Sequence, residues 1–576
     1  MIYLDPLSVT ASRLDHPFIS ETRDLTVIDS DQINRIPAAS VTDLLQYVGV
    51  LDVQRRGIDG VQADFSLRGG SFEQVVVLVD GMRVNNPQTG HHHANIPVSL
   101  PDVERIEVMP GHGASLYGSN GVGGVIHIIT KDPDKTRTRL HLRGGSFKTV
   151  AAYVSQTFSL LKTDHQLSFE RNQSDGHRRE TDYQINTLSY QFRTGSGQLK
   201  FDGRAGYQEK DFGANGFYAD YPSHENIRAA QAYVRTEWQP FSSVFIQNRL
   251  SVNRHDDFFI LDMDSPDWYQ NDHTTDVYSD EIHFNIIINN NLKTVAGMEL
   301  LQSQLSSSVL GHHKQTTFSL YNETVYQIDS GWLLNSGIRL DQFHDGHQVS
   351  PALGLRYTIK PGLSWRFSGG RVFRIPNFTE LYYQSPANTG NPDLKPETGW
   401  ALETGVTWQY PDFSASLTCF YRNETHHIDW VKENQTESWT VMNLSPLQIL
   451  GMSTWIFWRI KSRFSLGMVY TGLSRDFNEA DVLMKKYSDY ALTQKIQISA
   501  TAVWPGRIKQ NLVLRLIQRQ KVQSVLLADA KWLYPFSQWT FFIEWRNLFN
   551  QKYEELYGVS MPGSHLMAGL TRQIEW

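Results

Sequence analysis

The pattern of apolar and polar positions changes once along the chain. From Asp134 to Trp576, stretches of about ten residues alternate apolar and polar side chains, and polar breaks separate them. Trp539, Phe541, Ile543 and Trp545 fall on one side of such a stretch, and Thr540, Phe542, Glu544 and Arg546 on the other. The last stretch repeats this, with Leu566, Ala568, Leu570, Ile574 and Trp576 on one face and Arg572 as the exception. A period of two places alternate residues on opposite faces of a strand. At ~20 residues per strand and connection, this region makes roughly 22 strands.

Residues 20–133 read differently, as a compact α/β unit. Leu25–Ile28 is a short apolar strand. Ser40 and Asp43 have the spacing of a capping box, which opens a helix through Leu44, Leu45 and Val48 that stops at Gly49. Val75–Val79, Asp80-Gly81 and Met82–Val84 form a hairpin signal, because Asp-Gly tolerates the positive φ of a tight turn. Val103–Val108 and Val125–Thr130 are further strands, and Pro133 closes the unit. Gly118, Gly121, Gly123 and Gly124 superficially suggest a phosphate loop. They precede a strand rather than a helix, so they read as turn and close-packing positions. Residues 1–19 are extended, with no helical period. The expected organisation is a leader at 1–19, an inner unit at 20–133 and a barrel at 134–576.

Composition sharpens the choice between a soluble and a membrane-spanning β protein. Of 576 residues, 12% are aromatic, with 15 Trp and 25 Tyr. No apolar run approaches the ~18–20 residues of a spanning helix; Val75–Val79 and Val125–Ile129 are strand-length. Any membrane span must then be a closed barrel, because an open sheet edge leaves backbone groups unpaired in lipid. The net charge of −7 gives no general attraction to nucleic acid. The single cysteine, Cys419, excludes an internal disulfide. Met1–Arg13 holds no apolar stretch of signal-peptide length. Such a barrel must be exported, so its signal is expected to have been removed. G-x-S-x-G, H-E-x-x-H and P-loop motifs are absent, and no enzyme is expected.

Short strings then carry a family resemblance across nearly the whole chain. SLRGG at Ser66–Gly70, VLVDGMRVN at Val77–Asn85, VERIEVMPG at Val103–Gly111 and LYGSNGVGGVIHIIT at Leu116–Thr130 come first. FRIPNFTELY at Phe373–Tyr382, GNPDLKPE at Gly390–Glu397 and NLFNQKYE at Asn547–Glu554 follow in order. Together they resemble a TonB-dependent outer-membrane transporter. The resemblance implies a transmembrane antiparallel β-barrel whose N-terminal α/β domain plugs the lumen, in the outer membrane of a Gram-negative bacterium. It implies active import of a scarce, large ligand, energised by the inner-membrane motor (TonB with ExbB and ExbD). Residues Leu4, Asp5, Pro6, Leu7, Ser8, Val9, Thr10 and Ala11 resemble the family's TonB box, captured by strand addition, which Pro6 tolerates on an edge.

The start LDPLSVTASR, the plug layout and the modest size most resemble cobalamin transporters. Haem and ferric-siderophore importers share the same motifs, and a passive surface-binding or adhesion barrel is the rival of another class. No cofactor is expected to be required; membrane lipids are expected partners, and a surface lipoprotein is a further candidate.

Two plug loops, Arg55–Gln62 and Asn86–Asn95, are expected to face the outer cavity. Asp59, Gln62, Gln88, Thr89, His91 and His92 are the candidate contacts there. The three consecutive histidines His91–His93 point to different sides and cannot readily hold one ion. Tyr218, Tyr221, Trp268, Tyr269, Tyr382 and Tyr383 are candidate aromatic contacts from barrel loops, or interface residues at the membrane boundary. Asp256, Asp257, Asp262 and Asp264 lie in a segment expected to be one acidic loop, where oxygen ligands could bind calcium. Arg68 and Arg105 are expected to pair with carboxylates of the barrel wall.

Overall fold

The computed structural model describes residues 22–344, 346–444, 446–477 and 483–576, with the backbone of 8–9 and 16–17. The barrel has 22 antiparallel strands. It closes where the first strand, Arg137–Gly145, pairs with the last, His565–Glu575, in a register joining Arg137 to Glu575 and Gly145 to Met567. Strands run from 8 residues, Trp539–Arg546, to 20 residues, Gln270–Asn289. An even strand number puts both barrel ends on one side. That side carries the short turns, such as 161–162 and 197–198, and is periplasmic; the long connections lie on the outer side.

The alternation reads out directly as burial. In Trp539–Arg546, Phe541, Ile543 and Trp545 are exposed toward lipid, whereas Phe542, Glu544 and Arg546 are buried toward the lumen.

The plug fills that lumen. Its five-stranded sheet has the order Thr26–Asp29, Val103–Pro110, Gly124–Thr130, Val75–Val79, Met82–Arg83, with Val75–Val79 and Gly124–Thr130 parallel. Val75–Val79 is apolar at every position because both its faces are buried. The Asp80-Gly81 turn has φ of 48° and 81°, and Asp80 accepts from Thr130 N at 2.8 Å. A second, two-stranded sheet, Leu51–Arg55 with Ala63–Leu67, stands apart from the main one.

Three local expectations are modified. The helix that Ser40 caps, through a bond from Asp43 N at 3.0 Å, spans only Val41–Leu45; single tight turns carry the chain on to Val48. The helix Ser30–Arg35 was not expected, although Asp29 and Gln32 form a full capping box. The acidic segment from Asp256 is mostly strand, with strands Val244–Ile260 and Gln270–Asn289 leaving only 261–269 as a connection.

Charge and hydrogen bonds dock the plug. Arg68 pairs with Glu403 of the wall, as expected. Arg105 does not reach the wall; it bonds Glu107 two residues along its own strand at 2.8 Å, because both project from the same sheet face. Arg55–Glu555 at 2.7 Å, Arg546–Asp43 at 2.9 Å and Arg519–Asp52 at 2.6 Å continue the belt. Buried pairs of this kind contribute little net stability, but losing one partner is costly, so they fix the plug's position.

Candidate functional site: a cavity above the plug

A cavity of about 610 Å³ opens at the outer end of the barrel, between the plug apex and the long connections. Its floor is plug: Phe72 and Glu73, and Gln88, Thr89, His91 and His92 of the next loop. Thr89 caps the tight turn Gly90–His92 by accepting from His91 N. Gly90 N donates to Glu73 Oε1 at 2.7 Å. No side chain fits at Gly90, since a Cβ there would lie 2.7 Å from Phe72 Cδ2 and 2.9 Å from the Glu73 carboxyl. Burial, and then the neighbouring Glu380 carboxylate, push Glu73 up to about 8.

The three histidines separate, as their spacing in one tight turn requires. His91 stacks on Phe72, with ring centroids 4.3 Å apart, and its Nδ1 lies 2.8 Å from Asp64 Oδ1. Its Nε2 lies 3.2 Å from the Tyr487 hydroxyl. Burial pulls His91 down to about 4 against the pull of Asp64. Burial alone would raise Asp64, but Arg56, at 2.8 Å, and His91 hold it at about 2. His92 turns to the wall, 3.4 Å from Asp257 and ring-to-ring 4.4 Å from His255; burial lowers it to about 4. His93 points into the plug beside Asn85 and is lowered by burial to about 3.

The walls are aromatic. Tyr221 meets Trp268 edge-on at 5.4 Å, and the hydroxyls of Tyr269 and Tyr383 lie 3.1 Å apart. Tyr218 receives a bond from Gln62 Nε2 at 2.5 Å.

Gln88, Thr89, His91, His92, Tyr218, Tyr221, Trp268 and Tyr383 therefore line one cavity. Gln62 stands behind Tyr218 and is not part of the lining. Asp59 is elsewhere: its carboxylate is buried against the barrel wall, paired with Arg143 and with Arg546 at 3.3 Å, and it accepts from the Tyr183 hydroxyl at 2.7 Å. A carboxylate on the plug flank finds arginines of the polar lumen before it finds the cavity. Tyr382 stacks on His313 at 3.6 Å, outside the lining.

Phe72, Glu73, Asp64, Trp430 and Tyr487, none of them anticipated from the sequence, carry much of the lining. The helix Phe378–Tyr382 was also not anticipated, although Asn377 and Glu380 form a capping box legible in the sequence.

The four candidate calcium ligands do not converge. Asp256 and Asp257 are consecutive on a strand and face opposite sides. Asp256 accepts from Thr274 at 2.7 Å, Asp262 accepts from Asp264 N at 2.9 Å, and Asp264 pairs with Arg179 at 2.5 Å. Among the described residues, Glu397, Glu424 and His427 bring potential ligand atoms within 4.8 Å of one another. Donors already reach both carboxylates. Arg374 bonds Glu397 at 2.7 Å, Arg422 pairs with Glu424 at 2.5 Å, and Gln74 Nε2 bridges both carboxylates at 2.8 and 2.9 Å. This is a junction between plug and wall, held by arginine and amide donors.

Of Leu4–Ala11, only the backbone of Ser8–Val9 is described, paired antiparallel with His16–Pro17; the rest of the TonB-box candidate lies outside the described residues.

Comparison with known proteins agrees with this architecture. The family described as TonB dependent receptor-like, beta-barrel matches residues 128–553, and the TonB-dependent Receptor Plug Domain matches residues 19–125. The chain belongs to the TonB-dependent receptors: it is an outer-membrane transporter, not an enzyme. Its similar curated relatives include the Vitamin B12 transporter BtuB of Vibrio vulnificus, 24% identical over 99% of this chain and 95% of the relative. The protein of the same name from Photobacterium profundum is 23% identical over 87% and 85%. Among solved structures, the siderophore receptor PirA of Pseudomonas aeruginosa superposes with a TM-score of 0.78 at 18% identity, covering 96% of this chain and 99% of that one. The FrpB iron transporter of Neisseria meningitidis gives 0.81 at 13% identity over 96% and 99%.

Proposed function

We propose that the cargo is a corrinoid of the cobalamin class, drawn inward by the TonB motor acting on Leu4–Ala11. The observation that carries this reading is the chemistry of the cavity. Among the described residues, its lining holds the carboxyl groups of Asp64, Glu73, Glu225, Asp257, Glu380 and Asp429 against two cationic side chains, Arg475 and Lys486. A multiply anionic ferric catecholate calls for a cluster of cations. A corrinoid presents a flat apolar macrocycle fringed with primary amides, and amide N–H groups suit carboxylate and phenolic acceptors. The faces of Tyr218, Trp268, Tyr383 and Trp430 offer the macrocycle apolar contact. Relatives named as vitamin B12 transporters, similar over nearly the full length, support the same reading.

Calorimetric titration of the detergent-purified protein with cyanocobalamin, haem and a ferric siderophore tests it. Saturable heat with cyanocobalamin alone is expected. Saturable heat with haem or the siderophore, and none with cyanocobalamin, overturns the corrinoid assignment.

A further inference from the structure

Two cavities lie on opposite sides of the plug against one sector of the barrel. The outer one is the cavity above the plug. The second, of about 430 Å³, lies at the periplasmic end, between Tyr47–Val50 with the helix Ser30–Arg35 on the plug and strands Leu447–Lys461, Phe464–Phe477 and Leu492–Val503 on the wall. Strand Phe464–Phe477 borders both: Arg475 lines the outer cavity, and Met468 and Val469 line the inner one.

Between the cavities the wall meets plug backbone rather than plug side chains. A Cβ on Gly49 would overlap Val469 Cγ1, and one on Gly69 would lie 3.0 Å from Leu473 Cδ1. The polar contacts all end on neutral backbone. Thr471 Oγ1 donates to Gly49 O at 3.3 Å, and Gln497 Nε2 donates to Tyr47 O at 2.8 Å. Lys495 Nζ donates to the carbonyls of Gln46, Val48 and Leu51 at 2.9, 2.9 and 2.8 Å.

Elsewhere Asp43–Arg546, Arg55–Glu555 and Arg68–Glu403 hold the plug by charge, with Asp52–Arg519 closing the near edge. Strands Leu199–Gly213 and Val244–Ile260 also meet plug carbonyls, through Lys210 and Arg249, but they do not line the inner cavity. Among the described residues, strands Phe464–Phe477 and Leu492–Val503 make no ion pair with the plug. Separating a buried ion pair strands two charges. Separating a carbonyl from a hydroxyl, amide or ammonium group lets water from either cavity replace the lost bond.

We infer that this seam, which no ion pair crosses, is the passage for cargo: Tyr47–Leu51 withdraws from strands Phe464–Phe477 and Leu492–Val503, joining the two cavities while the ion-paired remainder of the plug stays docked. The inference rests on the import reading but is independent of which ligand is carried.

Two tethers in a Cys419→Ser background test it. G49C/V469C locks the seam, as a disulfide or through a short bis-methanethiosulfonate bridge. S115C/G337C locks a sector away from the seam, on strand Trp332–Phe343, where the Cβ positions are 3.6 Å apart, within the span of a disulfide. At Gly49 and Val469 they are 2.6 Å apart, so that pair must relax to close, and the longer bridge covers failure of the disulfide. The readout is current through purified protein in a planar bilayer, in urea too dilute to unfold the barrel. Opening lost with the seam tether closed, restored by dithiothreitol, and unaffected by the S115C/G337C tether is expected. Opening that persists with the seam locked, or is lost equally with either wall locked, overturns the inference. Cyanocobalamin uptake by cells carrying the untethered protein reports separately on the import reading.

Discussion

Asp59 and His91 both belong to plug loops read as facing the ligand, and they meet opposite fates. Asp59 is 1% exposed at its side chain and locked between Arg143 and Arg546. Asp59→Asn should destabilise plug docking by about 3 kcal/mol, seen as earlier loss of protease protection in urea, while cavity binding at low urea is retained. His91 instead reaches the cavity floor, with its imidazole neutral at pH 7. Its folded value of about 4 lies below the ordinary 6.5, so the stabilisation is complete above pH 6.5 and is lost as pH falls through 4. Glu73 has the opposite sign. Raised from 4.5 to about 8, it keeps a proton that the unfolded chain releases, so its contribution is complete below pH 4.5 and fades as pH rises through 8. Melting curves from pH 7 to 9 should show wild type losing stability up to about pH 8, and Glu73→Gln should flatten that loss.

At the scale of elements, local rules worked where the partner was also local. The Asp80-Gly81 turn is fixed by its own two residues and adopts the expected positive φ values. Arg249 packs over Gly81 and donates to its carbonyl at 2.7 Å. Gly81→Val should therefore combine a strained φ with a clash against that guanidinium. It should destabilise the plug by about 2–3 kcal/mol, measured by urea unfolding, while heat-modifiable gel mobility shows the barrel intact. The helix after Ser40 stopped early because tertiary packing placed Gly49 against Val469, and a longer helix would carry side chains into that wall. The capping boxes at Asp29–Gln32 and Asn377–Glu380 were equally legible. They head helices of 6 and 5 residues, too short to show a 3.6-residue period.

For the whole molecule, the barrel separates two tasks: the long outer connections gather ligand, and the plug closes the lumen beneath it. Removing Leu4–Ala11 should abolish energised uptake and leave the calorimetric affinity for ligand unchanged; uptake that survives would sink the assignment of that segment. The lumen also explains the acidic segment from Asp256. Strands that pair over 17 and 20 residues extend past the membrane and absorb residues that looked like loop, so Asp257 enters the cavity wall and Asp256 faces outward.

The sequence by itself determined the barrel, its strand number and the strands of the plug's main sheet, because a period of two and short-range turn chemistry are written in adjacent residues. It also pointed to the apex loop Gln88–His92, where chemistry and position coincide. Only the tertiary structure decided which polar side chains meet. Asp59 and Arg546, or Lys495 and the carbonyls of Gln46, Val48 and Leu51, are hundreds of residues apart and come together through barrel register. A slip of one residue would turn every such side chain from lumen to lipid, and no local pattern records which alignment the closed sheet adopts.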